Sequence, residues 1–93
     1  MPFELAFHPD ALREWQKLTP GIREQFKHKL VERLTEPRIP ASKLRGSSNR
    51  TKIKLRAAGY RLVYEVRDHA LLVLVVAVGM RERNVVDQHA DQR

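Results

Sequence analysis

Two lysines and an arginine stand at positions where they could act together on a phosphate group. Lys52 and Lys54 alternate with apolar residues, and Arg61 follows a predicted turn at Gly59. Like charges held close together disfavour each other's protonated forms, so one lysine of such a pair can act as a base. Arginine can supply fixed positive charge toward a phosphate. The pattern is compatible with RNA cleavage and equally with a solvated strand face, so spacing alone does not establish catalysis.

The positive charge of the chain is concentrated in one stretch. The net charge is +7, from 18 basic and 11 acidic residues, and residues 43–61 contain seven basic residues and no acidic one. The 11 basic residues elsewhere are therefore balanced by the 11 acidic ones. Charges that serve solubility are usually interspersed with both signs, so we expect a polyanion-binding face. The seven are Lys43, Arg45, Arg50, Lys52, Lys54, Arg56 and Arg61.

Several classes of protein are disfavoured by composition. There is no cysteine, and the four histidines lack ligand spacing, so we expect neither a metal nor another cofactor. The longest apolar run, residues 71–78, is far short of the roughly 20 residues that span a bilayer. The first residues do not resemble a secretion signal, so we expect a cytoplasmic protein. Ninety-three residues suit one domain, 1–93, with one modest core.

The N-terminal part of the chain predicts a strand and two helices. Alternating apolar residues from Phe3 to Phe7 indicate a half-buried strand. Pro9 suits the start of one helix, and Thr19 can cap a second helix whose first residue is Pro20. The first helix has an apolar stripe of Leu12, Trp15 and Leu18, and the second has one of Ile22, Phe26, Leu30 and Leu34. We expect the two helices to form a hairpin on the sheet.

Three further strands are predicted after a loop that begins at Pro37. They cover residues 51–56, 60–66 and 71–78, and the last should be central and covered by helices on one face. A short, weakly apolar C-terminal helix follows Gly79. The order β-α-α-β-β-β predicts an α+β fold with a small, mainly antiparallel sheet, an N-terminal helical hairpin and a short C-terminal helix.

The register of the first two of these strands follows from their apolar residues. Only an even-numbered loop places both apolar sets on the same face, and that pairing sets Lys54 opposite Arg61. A three-residue loop would instead turn Arg61 toward Ile53 and Leu55, which would bury a guanidinium without an obvious partner. The core pattern itself therefore gathers Lys52, Lys54 and Arg61 on one face.

A chain of ordered motifs resembles the RelE-type toxins of bacterial toxin–antitoxin modules, within the RelE/ParE superfamily. The match runs without obvious gaps from about Phe3 to Arg83. The motifs are LREWQKL at 12–18, PRI at 37–39, KLRG at 43–46, KIKLR at 52–56, GYRLVY at 59–64 and VGMRER at 78–83. Such an ordered series is far more specific than any one of its members.

This resemblance implies a metal-independent endoribonuclease that cleaves messenger RNA in the ribosomal A site and thereby inhibits translation. The ribosome would orient the RNA, so free RNA should be a poor substrate. The resemblance also implies neutralisation by a cognate, RelB-like antitoxin that covers or distorts the basic face. The joint complex would bind operator DNA through the antitoxin.

The resemblance also assigns roles to individual residues. It implies that Lys52 is the general base and that Lys54 and Arg61 stabilise the developing charge. Arg81 would act as the acid or assist the leaving oxygen, and Arg45 would lie near the scissile phosphate. Further cations expected to hold ribosomal or messenger phosphates are Lys43, Arg50, Arg56 and Arg83.

One position departs from the family. A tyrosine that stacks on a base is common near the C-terminus, and Asp87 stands there in this chain. An aspartate cannot stack and should repel the phosphate. Either activity is weakened, or His89 supplies a ring and a titratable nitrogen in place of the tyrosine. The other interpretation of His89 is a residue of a disordered tail.

Two functions other than RNA cleavage are also possible for this fold. One is a toxin that inhibits DNA gyrase, a branch that generally lacks the cation cluster. The other is a catalytically weakened ribosome-binding module.

Overall fold

The computed structural model describes residues 3–43, 49–82 and 85–93. Arg45 and Arg83, both predicted to contact RNA, lie outside the described residues. The order of elements confirms the predicted α+β fold. The elements are β1 (Glu4–Phe7), α1 (Pro9–Gln16), α2 (Pro20–Thr35), β2 (Arg50–Leu55), β3 (Tyr60–Arg67), β4 (Leu72–Met80) and α3 (Val85–Gln92), with 3-10 turns at Pro40–Ser42 and Asp68–Ala70.

Both N-terminal helices begin at the predicted prolines. His8 caps α1, since its ring nitrogen accepts a hydrogen bond from the Asp10 amide at 3.1 Å. Thr19 occupies the N-cap position of α2, but its side chain makes no capping hydrogen bond. The predicted stripe of α1 is wrong at Leu12, which is 41% exposed, because Ala11 faces the core instead. The stripe of α2 is confirmed by the burial of Phe26, Leu30 and Leu34.

The sheet has the order β1-β4-β3-β2, with β1 parallel to β4 and the other neighbours antiparallel. Strand β4 is central, as predicted, but the expectation that helices cover only one face is incomplete. Helices α1 and α2 pack over the main core on one face. On the opposite face α3 closes a second, smaller apolar cluster of Val63, Val76, Ala77, Val86 and Ala90.

The predicted register between β2 and β3 is confirmed. Leu55 pairs with Tyr60, which leaves a four-residue loop, and Lys54 pairs with Arg61. Gly59 in this loop has φ +74°, a conformation that glycine adopts without a steric penalty. The turn therefore lets the apolar residues of both strands share the main core. None of the helices described is long and apolar enough to cross a membrane.

Candidate active site on the β2–β3 face

Three cations of the predicted site meet near one end of the sheet. Lys52 and Lys54 lie half-exposed on β2, an edge strand, and their neighbours Thr51, Ile53 and Leu55 are buried in the alternate positions. Arg81 directly follows β4 and is exposed. Its backbone amide donates to the Gly59 carbonyl at 2.8 Å, which joins the end of β4 to the β2–β3 turn.

The charges around Lys54 are close enough to change its titration. The charge of Lys52 lowers the pKa of Lys54 most, followed by partial desolvation and then by Arg81, Arg61 and Arg56. A lowered pKa increases the neutral fraction of Lys54, and only a neutral amine can accept a proton. The site therefore contains a candidate base among fixed positive charges. The lowered pKa is that of Lys54, whereas the family resemblance implied Lys52 as the base.

Arg61 lies opposite Lys54 on the same face of the sheet, as predicted, but unlike the two lysines it is buried. Its side chain is only 8% exposed, because α3 covers this part of the sheet. A guanidinium nitrogen, Nη1, donates to Asp87 Oδ2 on α3 at 2.6 Å. The register keeps Arg61 out of the main core, yet its guanidinium is buried beside the Asp87 carboxylate of α3.

The Arg61–Asp87 pair is not fully satisfied. Arg61 Nε and Asp87 Oδ1 are both buried and have no hydrogen-bond partner. A buried pair joined by a single hydrogen bond recovers only part of the cost of removing both charges from water. Asp87 therefore neutralises Arg61 inside the fold, whereas the sequence predicted only a repulsion between Asp87 and the phosphate.

His89 contacts a carboxylate of α1, which gives no support to the hypothesis that its ring replaces the missing tyrosine. It belongs to α3 and not to a disordered tail, and its Nδ1 lies 3.4 Å from Glu14 Oε2 on α1. Arg93 donates to both carboxylate oxygens of Glu14, at 2.8 and 3.0 Å, and to the Val76 carbonyl at 2.9 Å. Glu14 thus anchors the C-terminal end of α3 to α1.

Arg50 also contacts α3, which contradicts the prediction that its side chain is free to bind RNA. It donates to the Ala90 carbonyl at 2.5 Å and lies 3.4 Å from Glu65 and 3.6 Å from Asp91. Its side chain is 16% exposed. Burial raises the pKa of Glu65, but the hydrogen bonds and charges of Arg67 and Arg50 outweigh this and lower the pKa overall. Arg50 therefore fastens β2 to α3.

The other predicted contacts to RNA are placed as follows. Lys43 is exposed and pairs with Thr51 through an isolated antiparallel bridge, which brings the preceding loop beside β2. Arg56 is exposed in the β2–β3 turn. Neither residue has a carboxylate within 4 Å among the described residues. Both remain available for an anionic ligand.

Comparison with known proteins identifies the family. Residues 5–85 match the family model described as the ParE toxin of the type II toxin–antitoxin system parDE. Over 93 residues the chain is 53% identical to the mRNA interferase toxin RelE of Escherichia coli K12, covering 100% of this chain and 98% of that one. This chain belongs to the RelE/ParE toxin family.

Solved structures of toxins from this family are similar throughout. An E. coli toxin RelE double mutant in the free state has a TM-score of 0.92 at 50% identity, with 100% of this chain and 98% of that chain covered. The toxin in the intact E. coli RelBE toxin–antitoxin complex has a TM-score of 0.83 at 54% identity, with 87% and 99% covered. The RelE-like fold predicted from the motifs is therefore confirmed.

The Arg61–Asp87 pair is the main feature of the site that sequence reasoning missed. A signal was present, because Val86 and Ala90 are spaced four residues apart and can share one face of a helix. Burial of that face on the sheet brings Asp87, which follows Val86, close to β3. The tail was weakly apolar, however, and its docking on the sheet was not predicted.

Proposed function

We propose that this chain is the toxin of a type II toxin–antitoxin system and an endoribonuclease that cleaves messenger RNA in the ribosomal A site. The observation that carries the proposal is that Lys52, Lys54 and Arg81 lie together. The charges of Lys52 and Arg81 lower the pKa of Lys54. This group occurs in a chain that is 53% identical, over its whole length, to an mRNA interferase toxin. Nothing in the proposed reaction requires a metal ion.

The proposed reaction is a transesterification at one phosphodiester. Neutral Lys54 accepts the proton of a ribose 2′-hydroxyl, and the 2′-oxygen attacks the adjacent phosphorus. The bond to the 5′-oxygen of the next nucleotide breaks, which leaves a 2′,3′-cyclic phosphate. The 5′-oxygen takes a proton from solvent water, and Lys54 later returns the proton that it accepted to solvent. The cationic side chains of Lys52 and Arg81 stabilise the negative charge that accumulates on the phosphate oxygens.

Asp87 gives a reason for dependence on the ribosome. Because Asp87 neutralises Arg61, the free protein presents one cation fewer to a phosphate than the four that the resemblance assigned to catalysis. A ribosome that holds the RNA in position supplies the orientation that the protein alone does not, and orientation contributes a large part of many rate enhancements. Free RNA is then a poor substrate.

The proposed partners are the ribosome with its message and a cognate, RelB-like antitoxin. A solved relative is a toxin in complex with its antitoxin. Acidic segments of the antitoxin would complement the cations of β2 and the β2–β3 turn. We place the protein in the cytoplasm, as a single domain that reaches operator DNA only through the antitoxin.

Expression without the antitoxin tests this function in cells. We expect growth arrest, with cuts inside translated codons when 5′ ends of transcripts are mapped by primer extension. The Lys52→Gln/Lys54→Gln variant should abolish both effects, and Lys17→Gln/Lys27→Gln, with the same change in charge, should retain them. Intact transcripts together with gyrase-dependent DNA breaks would instead assign the chain to the gyrase inhibitors.

A further inference from the structure

A second feature of the basic face is a cleft between α2 and the open edge of β2. Its volume is about 190 Å³. It lies beside the two lysines of the proposed active site but extends away from them toward α2. Its polar lining residues are Lys29, Arg33, Ser42, Lys52, Lys54 and Arg56.

The charges of this cleft are not neutralised by the protein. No carboxylate lines it. None of its five cations lies within 4 Å of a carboxylate in the described part of the chain. Six arginines elsewhere do form such ion pairs: Arg13, Arg38, Arg50, Arg61, Arg67 and Arg93. The uncompensated positive charge therefore favours an anionic ligand at this place.

Arg33 is held in the wall of the cleft by a buried residue. Its Nη1 donates to the Tyr64 hydroxyl at 2.9 Å, and its guanidinium carbon lies 5.8 Å from the centre of the Tyr64 ring. Tyr64 is fully buried, and its hydroxyl donates to the Pro37 carbonyl at 2.6 Å. A guanidinium has five N–H donors, so this anchor leaves several for a ligand. Arg33 is thus oriented in advance, as phosphate recognition by arginine requires.

We propose that this cleft is a phosphate-binding subsite for RNA, in which Arg33 and Lys29 hold a phosphodiester next to the one that is cleaved. The identification of the ligand as RNA rests on the proposed function. The preference for a phosphodiester rests on the unpaired cations and on the anchored guanidinium. Lys52 and Lys54 line both the cleft and the proposed active site, so one strand of RNA can contact the two in succession.

Binding of an RNA that cannot be cleaved tests the subsite separately from catalysis. The probe is a single-stranded oligonucleotide with 2′-O-methyl groups, which lacks the attacking hydroxyl. We compare wild type with Lys29→Gln/Arg33→Gln, and use Lys17→Gln/Arg23→Gln as a control with the same change in charge outside the cleft. Lys29→Gln alone, an exposed change on α2, serves as a second variant if removal of the hydrogen bond between Arg33 and Tyr64 disturbs folding.

We expect the cleft variant to bind about tenfold more weakly in 0.1 M salt, with the control unchanged. The slope of log affinity against log salt should fall by about 0.7 for each phosphate that the variant no longer neutralises. Weaker binding of the oligonucleotide supports the subsite, whereas weaker binding of vacant ribosomes alone assigns the phosphate to ribosomal RNA and overturns its placement next to the cleaved bond. Equal binding by cleft and control variants in both arms overturns the subsite. Failure of wild type to cleave, with the weaker binding present, overturns the proposed function alone.

Discussion

Asp87 Oδ2 on α3 lies 2.6 Å from Nη1 of Arg61 on β3, so a carboxylate neutralises the arginine that the sequence placed among the catalytic cations. Helix α3 holds this carboxylate in place through three interactions outside the pair. Arg93 binds Glu14, Arg50 binds the Ala90 carbonyl, and Val86 packs in the second apolar cluster. The helix therefore controls how much positive charge the face presents.

Replacing Asp87 with asparagine should raise activity and lower stability. The amide keeps an acceptor for Arg61 but removes the neutralising charge, so we expect ribosome-dependent cleavage to be roughly tenfold faster, equivalent to about 1.4 kcal/mol in the barrier. The free energy of unfolding should fall by about 2 kcal/mol, because a charged hydrogen bond is weakened. Cleavage kinetics and denaturant unfolding measure both quantities. Glu36→Gln, which removes a negative charge at an exposed residue with no ion pair among the described residues, is the control and should change neither.

The pH dependence of cleavage should report the titration of Lys54. Its pKa is lowered chiefly by Lys52, so the rate should rise with pH until Lys54 is largely neutral. Lys52→Gln removes the main cause of the lowering, so the pKa of Lys54 rises and the inflection should move to higher pH. Single-turnover rates over a pH series measure this shift. An inflection that stays in place in Lys52→Gln would show that another group is the base.

The Glu14 anchor should make α3 sensitive to acid. Burial raises the pKa of Glu14, but hydrogen bonds from Arg93 and from the Val78 amide outweigh it, and the pKa lies below 4.5. Because the pKa of Glu14 is lower in the folded state, its ionised carboxylate stabilises the fold above pH 4.5. This stabilisation is lost as the pH falls through the lowered pKa. Glu14→Gln should therefore cost about 2 kcal/mol at about pH 7 and much less in acid.

Denaturant unfolding at both pH values measures that difference, and amide exchange in α3 shows where the protection is lost. Glu24→Gln is the control, since Glu24 is 63% exposed and its carboxylate lies 3.9 Å from the Lys27 ammonium. A uniform cost for Glu14→Gln at both pH values would contradict the role of the ionised carboxylate.

The hydroxyl of Tyr64 should contribute to stability through Arg33 and Pro37. Tyr64→Phe leaves the Pro37 carbonyl without its buried donor, so we expect a loss of about 1 to 2 kcal/mol in the free energy of unfolding. Tyr60→Phe is the matched control, because the Tyr60 hydroxyl makes no side-chain hydrogen bond in the described part of the chain. An equal loss in both variants would argue against the anchoring of Arg33 by Tyr64.

The sequence predicted those parts of the fold that depend on strong periodicity. The alternation in β2 and β3 specified which side chains enter the main core, and that constraint was sufficient to pair Lys54 with Arg61. Proline positions located the starts of α1 and α2 because proline fixes φ and lacks an amide hydrogen.

The parts that could not be predicted depend on interactions between distant segments. Whether α3 docks is decided by Val86 and Ala90 on the sheet and by Arg93 on Glu14, residues up to 79 positions apart. Spacing along the chain does not encode such interactions. For the same reason, the sequence did not predict the burial of Arg61, the contacts of Arg50 with α3, or the hydrogen bond that anchors Arg33.

The most direct measurement is cleavage of a defined messenger RNA by purified protein, with and without programmed ribosomes, mapped by primer extension. We expect cuts only in the codon that occupies the ribosomal A site, none in free RNA, and none with Lys52→Gln/Lys54→Gln. An intact message in the presence of folded, ribosome-bound wild-type protein would contradict the assignment of this cation cluster as a nuclease site.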